Sequence, residues 1–211
     1  MPVRKRIKMI GALEALERLQ VGNRRFVEGR QSHRELIKYD QGVLPADQSP
    51  FAIIIGCSDA RVPAEIVFDQ GVGDLFVIRV AGNIVAPSQV GSVEFAAERF
   101  GTGLVVVLGH SLCGAVQATL EELDRPGDSR SPNLHSIVDR IRPSVEGLLA
   151  MDLDEDALLR AAVRSNIRSS VRQLHHGSRI LEQLIVDNSL HIVGAEYSLA
   201  TSVVEFFDGL E

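Results

Sequence analysis

Cys57 and Cys113 are the only cysteines in the chain, and His110 lies three residues before the second. Each cysteine follows an apolar run and a glycine, in FAIIIGCSDAR at 51–61 and LVVVLGHSLC at 104–113. Two thiolates and an imidazole form a Cys2His set, one donor short of a closed tetrahedral zinc site. Four protein ligands make a structural site, whereas three and an open position are what zinc needs to bind and activate water. The pattern therefore points to a zinc enzyme with one Zn2+ per chain.

Two thiolates offset much of the charge of the metal, so its water is less acidic than beside three imidazoles. A neighbouring group that manages the proton then gains value. Asp59 lies two residues after Cys57, and Arg61, two further on, can hold the carboxylate by a charge-assisted pair. Asp59 can accept a hydrogen bond from zinc-bound hydroxide, or compete with water for the open position. A lone buried cysteine is usually a small hydrophobe, and a lone Asp-x-Arg a weak surface pair. Both motifs at strand exits, together with a His-x2-Cys, are a far rarer accident.

The other histidines read as structural. His175 and His176 precede Gly177 at a helix end, where cationic side chains suit the last turn; either could shuttle a proton, but nothing in the sequence places it near zinc. His33 and His135 lie in polar surroundings and His191 in a strand-like run. The pairs Gly71/Gly73 and Gly101/Gly103 lack the strand-to-helix context of a dinucleotide fingerprint, which excludes a nicotinamide cofactor.

These residues must be carried by a scaffold. Short β-branched runs at 51–55, 75–80, 104–108 and 190–197 lack alternation, as strands covered on both faces do. Helical patterns at 92–101, 113–123 and roughly 155–176 separate them, which predicts an α/β fold: an open, mainly parallel sheet flanked by helices. In such sheets ligands bind beyond the carboxyl ends of the strands, at a topological switch point. Gly56 and Gly109 are expected to let the chain turn sharply there. The i, i+3 spacing of His110 and Cys113 puts them on one side if a helix begins at once. Residues 202–208 read as a short C-terminal edge strand, and 124–133 as a surface loop.

Residues 11–29 read as an amphipathic helix, and 30–50 form a long polar stretch. Residues 1–50 are thus expected to be a helical arm of the same domain, packed on a partner subunit, with 51–211 as the zinc-binding catalytic part. A chain of 211 residues suffices for one sizeable core. Its 22 basic and 28 acidic residues give a net charge of −6, no footprint for nucleic acid or an anionic membrane. Partners are expected to be a small-molecule substrate and further copies of the chain. No apolar run approaches the ~18 residues of a membrane span. Glu14 and Glu17 interrupt any signal-peptide core, and two thiols suit a reducing compartment, so the expected location is cytoplasmic.

CSDARVPAE at 57–65, FVIRVAGN at 76–83 and GHSLCGAV at 109–116 resemble the β-class carbonic anhydrases. LERLQVGNRRFVEG, SVEFAAERFG, NLHSIVDRIRPSV and VGAEYSLATSVVEFF extend the likeness almost end to end. The resemblance implies reversible hydration of CO2 to bicarbonate and a proton through zinc-bound hydroxide, with Cys57, His110 and Cys113 as ligands and Asp59 and Arg61 as a catalytic dyad. It implies a homodimer or dimer of dimers, and a substrate pocket drawn from Gln48, Val62, Phe76, Phe95 and Gly114. Gln48 and Phe76 match members whose site stays open, though Phe95 stands where that group has tyrosine. Gly56 and Arg79 match members whose aspartate swings onto zinc, but Ile54 stands where those carry tryptophan. Two alternatives keep the fold: hydrolysis of a CO2-like molecule such as carbonyl sulfide or carbon disulfide, and a non-catalytic CO2/bicarbonate sensor.

Overall fold

The computed structural model describes residues 10–32, 48–124 and 131–210. Its five strands are β1 (Ala52–Gly56), β2 (Leu75–Arg79), β3 (Leu104–His110), β4 (His191–Tyr197) and β5 (Val204–Asp208). They lie in the order β2-β1-β3-β4-β5, the first four parallel and β5 antiparallel to β4. Helices α1 (Ala12–Val27), α2 (Ala64–Val67), α3 (Pro87–Phe100), α4 (Gly114–Asp124), α5 (Pro132–Val145), α6 (Glu155–His176) and α7 (Arg179–Val186) cover the sheet. The predicted open α/β sheet and its C-terminal edge strand are both present.

Successive side chains of a strand point to opposite faces, and both faces here are covered. Ile53, Ile55, Val105, Val107 and Ile192 pack in the core that includes α3 to α7, whereas Ala52, Ile54, Val106, Leu108 and Val193 pack in the core that includes α1 and α2. This is why the strands are continuous apolar runs. α5 and α7 were not anticipated from the sequence. Ser131 caps α5, its hydroxyl accepting from the Asn133 N–H at 3.3 Å, so the breaker-rich segment gives way to a helix at Pro132.

The helical part of the expected arm packs on its own chain. Ala15 and Leu19 are buried against the sheet, and a Cβ on Gly22 would lie 1.8 Å from the Phe68 carbonyl oxygen. Asn23 is buried and donates through Nδ2 to the Val67 and Ser202 carbonyls, each at 3.0 Å, while its Oδ1 accepts from the Val204 N–H at 2.9 Å. These bonds tie α1 to the α2 turn and to β5, so α1 is part of the core layer. Residues 33–47, the remainder of the expected arm, lie outside the described residues. Asn23→Ala strands three backbone groups and is expected to lower stability by about 2–3 kcal/mol. The check is a lower urea midpoint at unchanged slope.

Candidate metal centre

From β1 the chain crosses to β2 on one side, then returns to form β3 on the other. The carboxyl ends of β1 and β3 therefore flank a topological switch point, where crossovers diverge and leave a crevice. Gly56 is in register with Leu108, so Cys57 leaves the sheet beside the last residues of β3. The donor atoms of Cys57, His110 and Cys113 all lie within 4.8 Å of one another, and all three residues are buried.

The turn that closes this group differs from the one expected. His110 is the last residue of β3, paired with Tyr197, and α4 starts only at Gly114. Leu112, at φ 56°, turns the chain through the left-handed region to bring Cys113 round. Gly56 and Gly109 instead stay within their strands, and neither has a positive φ. Gly109 is required for close approach, since a Cβ there would lie 2.5 Å from Ile167 Cδ1 of α6. The side chain at this left-handed position is 58% exposed, so substitutions there change little packing. Leu112→Gly is therefore expected to gain about 1 kcal/mol and Leu112→Ile to lose a similar amount. Urea midpoints of the two variants check both signs.

His110 Nδ1 lies 2.9 Å from the Ser111 carbonyl oxygen and donates to it. The Ser111 N–H in turn donates to the Tyr197 carbonyl at 3.0 Å, and the Ser111 hydroxyl accepts from the Leu199 N–H at 2.9 Å. This fixes the tautomer that presents the Nε2 lone pair. Nε2 is buried and has no hydrogen-bond partner among the described residues. A buried polar atom without a partner is costly, and here it belongs to a donor set of two thiols and an imidazole, ligands that suit zinc. The residues present fit the metal.

Electrostatics agree. A hydrogen bond from the Cys113 thiol, with smaller contributions from the nearby His110 ring and the Gly82 N–H, lowers the Cys57 thiol to about 4 against the effect of burial. Cys113, holding the shared proton and buried, is pushed up. Burial opposes a charged His110, but the nearby Cys57 sulfur and its charge outweigh it and raise the His110 pKa. These shifts favour a thiolate at Cys57 with protons on Cys113 and His110, protons that a cation would displace.

Asp59 and Arg61 form a forked pair: Arg61 Nε to Oδ1 at 2.9 Å and Nη2 to Oδ2 at 2.7 Å, with the Arg61 N–H also donating to Oδ1 at 2.9 Å. These bonds hold the Asp59 carboxyl well below the usual carboxylate range. Asp59 Oδ2 faces the donor set, 3.9 Å from His110 Nε2. Arg79 braces the segment from β2, donating from Nε to the Cys57 carbonyl at 3.0 Å and from Nη2 to the Asp59 carbonyl at 2.6 Å. The bracing by Arg79, and the Gly82 N–H that meets Cys57 Sγ at 3.4 Å, are not readable from the chain. Both sit in FVIRVAGN, which marks them only as part of a motif.

The expected pocket residues divide. Gly114 opens α4 beside Cys113, and a Cβ there would meet no atom within 4 Å. Val62 is 2% exposed and belongs to the core that includes α1 and α2. Phe76 is opposite Ile53, three registers before Gly56, or about 10 Å back along the sheet. Phe95 lies beside it, ring centroids 6.2 Å apart, and is 52% exposed. Gln48 is exposed, ahead of the amino end of β1, whereas Cys57 follows its carboxyl end. Within one chain, then, Gln48, Phe76 and Phe95 are not gathered at the donor set. His135 pairs with Glu122 at 3.0 Å, His175 and His176 end α6, and His191 opens β4; none belongs to the metal-ligand cluster. His33 lies outside the described residues.

The family described as "Carbonic anhydrase" matches residues 52–204, which span β1 to the start of β5. The chain is 38% identical over 190 residues to "Carbonic anhydrase 2" of Mycobacterium tuberculosis, covering 88% of this chain and 87% of that protein. It is equally identical over 196 residues to the "Carbonic anhydrase" of Mycolicibacterium smegmatis, covering 90% and 91%. The solved β-carbonic anhydrase CcaA superposes with a TM-score of 0.71 at 27% identity, over 94% of this chain and 93% of that one. CafA of Aspergillus fumigatus, at TM-score 0.72 and 24% identity over 94% and 92%, shares the fold. On this likeness of sequence and fold, the chain belongs to the β-class carbonic anhydrase family.

Proposed function

We propose that the chain catalyses the reversible hydration of CO2 to bicarbonate and a proton, with zinc held by Cys57, His110 and Cys113. The observation that carries this reading is the buried three-donor set at the switch point, its His110 Nε2 unpartnered, with the Asp59–Arg61 pair beside it. When bound, the metal supplies a nucleophile from water at near-neutral pH. The residues of the chain do the rest. Asp59 Oδ2, facing the site, accepts a hydrogen bond from the nucleophile and turns its remaining proton away from the attacking lone pair. Arg61 keeps the carboxylate from occupying the open position itself, which favours a site that stays open. Ser111 holds the imidazole in the ligating tautomer, and Gly82 donates to the Cys57 thiolate.

Gln48, Phe76 and Phe95 lie away from the chain's own donor set, so we read them as pocket residues only across a homodimer or dimer of dimers. Among the described residues no helix is long and apolar enough to cross a membrane. A reducing cytoplasm, which would keep Cys57 and Cys113 as thiols, is the proposed location.

The test is exchange of 18O between CO2 and water, followed by mass spectrometry on zinc-loaded and chelator-stripped protein. Exchange that is lost on stripping and restored by zinc supports the reading. Sulfide release from carbonyl sulfide without 18O exchange would overturn it in favour of a CO2-like substrate.

A further inference from the structure

α6 carries two polar side chains on an otherwise apolar inner face. Asn166 is 2% and Ser170 3% exposed, among Ala162, Val163, Ile167, Val171 and Leu174. Burying such groups is unfavourable unless they are hydrogen-bonded. Both reach the same short turn: Asn166 Nδ2 donates to the Gly82 carbonyl at 2.8 Å, and Ser170 Oγ to the Asn83 carbonyl at 3.1 Å.

That turn is strained. Gly82 at φ 69° and Asn83 at φ 44° are successive left-handed residues, a conformation that persists only where its surroundings over-determine it. The Asn83 N–H closes it onto the Val80 carbonyl at 3.0 Å, and the Val80 N–H anchors it to Gly56 at 3.1 Å. Gly82 cannot carry a side chain, since a Cβ would lie 2.8 Å from Ile141 Cδ1 and 3.1 Å from Ala115 Cβ. A glycine is also free to leave the left-handed region, so its position depends on both of its peptide groups being held. One is held by Asn166. The other presents its N–H to Cys57 Sγ at 3.4 Å. Ile167, between the two polar residues, packs over Gly109, next to His110. One face of α6 thus touches the segments that position two of the three donors.

Resting on the metal reading above, we propose that Asn166, supported by Ser170, is a positioning residue that aims the Gly82 N–H at the Cys57 thiolate and so tunes that ligand's donation to the metal. Outer-shell partners of this kind alter metal affinity by about 10–100-fold when removed.

The test uses the full chain loaded with Co2+, whose thiolate-to-cobalt absorption reports the Cys57 sulfur, together with the rate of metal loss to a chelator. Val163→Ala, a cavity on the same buried face of α6 that removes no hydrogen bond, is the control for general destabilisation. Asn166→Ala is expected to shift the absorption and quicken metal loss by about 10–100-fold, while Val163→Ala leaves the absorption in place and the rate within about twofold of wild type. Asn166→Ala with wild-type absorption and loss rate would overturn the proposal. If Asn166→Ala does not fold, Ser170→Ala, which removes only a hydroxyl, is read the same way: a moved band supports the proposal and an unmoved one overturns it. Failure of wild-type protein to show any thiolate-to-cobalt band would instead overturn the metal reading, and this inference with it.

Discussion

Cys113→Ser is expected to lose its metal and, with it, at least about a thousandfold of CO2 hydration. Removal of groups that merely support a ligand already weakens metal binding about 10–100-fold, and a serine hydroxyl cannot supply the thiolate. Cys113 is 1% exposed and shares a proton with Cys57, so the substitution leaves two donors around a position built for three. The buried hydroxyl costs about 1–3 kcal/mol if it finds no partner, which the core of the sheet can absorb, and the circular dichroism spectrum is expected to stay that of the wild type. Metal per chain, measured by elemental analysis after dialysis, decides the matter. A Cys113→Ser protein that retains a full equivalent of zinc would remove Cys113 from the ligand set.

Asp59→Asn is expected to keep its zinc and lose about 10²–10⁴-fold in turnover, the usual range for a positioned proton-handling group. The amide has nearly the same shape but is a poorer acceptor, and half of its fork faces Arg61 with a donor where an acceptor stood. Steady-state hydration rates at matched zinc content read this effect. A rate within twofold of wild type would deny Asp59 its role. The pH dependence has a definite sign. The folded pKa of Asp59 is depressed, chiefly by Arg61, so the pair's stabilisation is present above the unfolded value near 4 and is lost as pH falls towards the lower folded one. The stability difference between wild type and Asp59→Asn should therefore be flat from pH 6 to 9 and shrink only below about pH 4.

The Cys57–His110–Cys113 cluster and the Asp59–Arg61 pair were legible because each falls in a short polar motif at the exit of an apolar strand. The sheet was legible for the same reason: strands such as AIIIG at 52–56 are buried on both faces and cannot be mistaken for alternating ones. α5 was not legible, since its buried residues are only Val138, Ile141 and Val145 among charges. The turn at Leu112 was hidden because leucine seldom takes a positive φ. The docking of α1 depends on Asn23 meeting Val67 and Val204, 44 and 181 residues away, and no local pattern encodes such separations. The roles of Gly82, Asn166 and Ser170 likewise exist only after α6 has packed.

The most direct test of the central claim is stopped-flow CO2 hydration with a pH indicator, from pH 7 to 9, on protein whose zinc content is known. Turnover in proportion to zinc, present across the range, is the result this account predicts, with Asp59 remaining on Arg61 throughout. One zinc per chain with no turnover at any pH would contradict it.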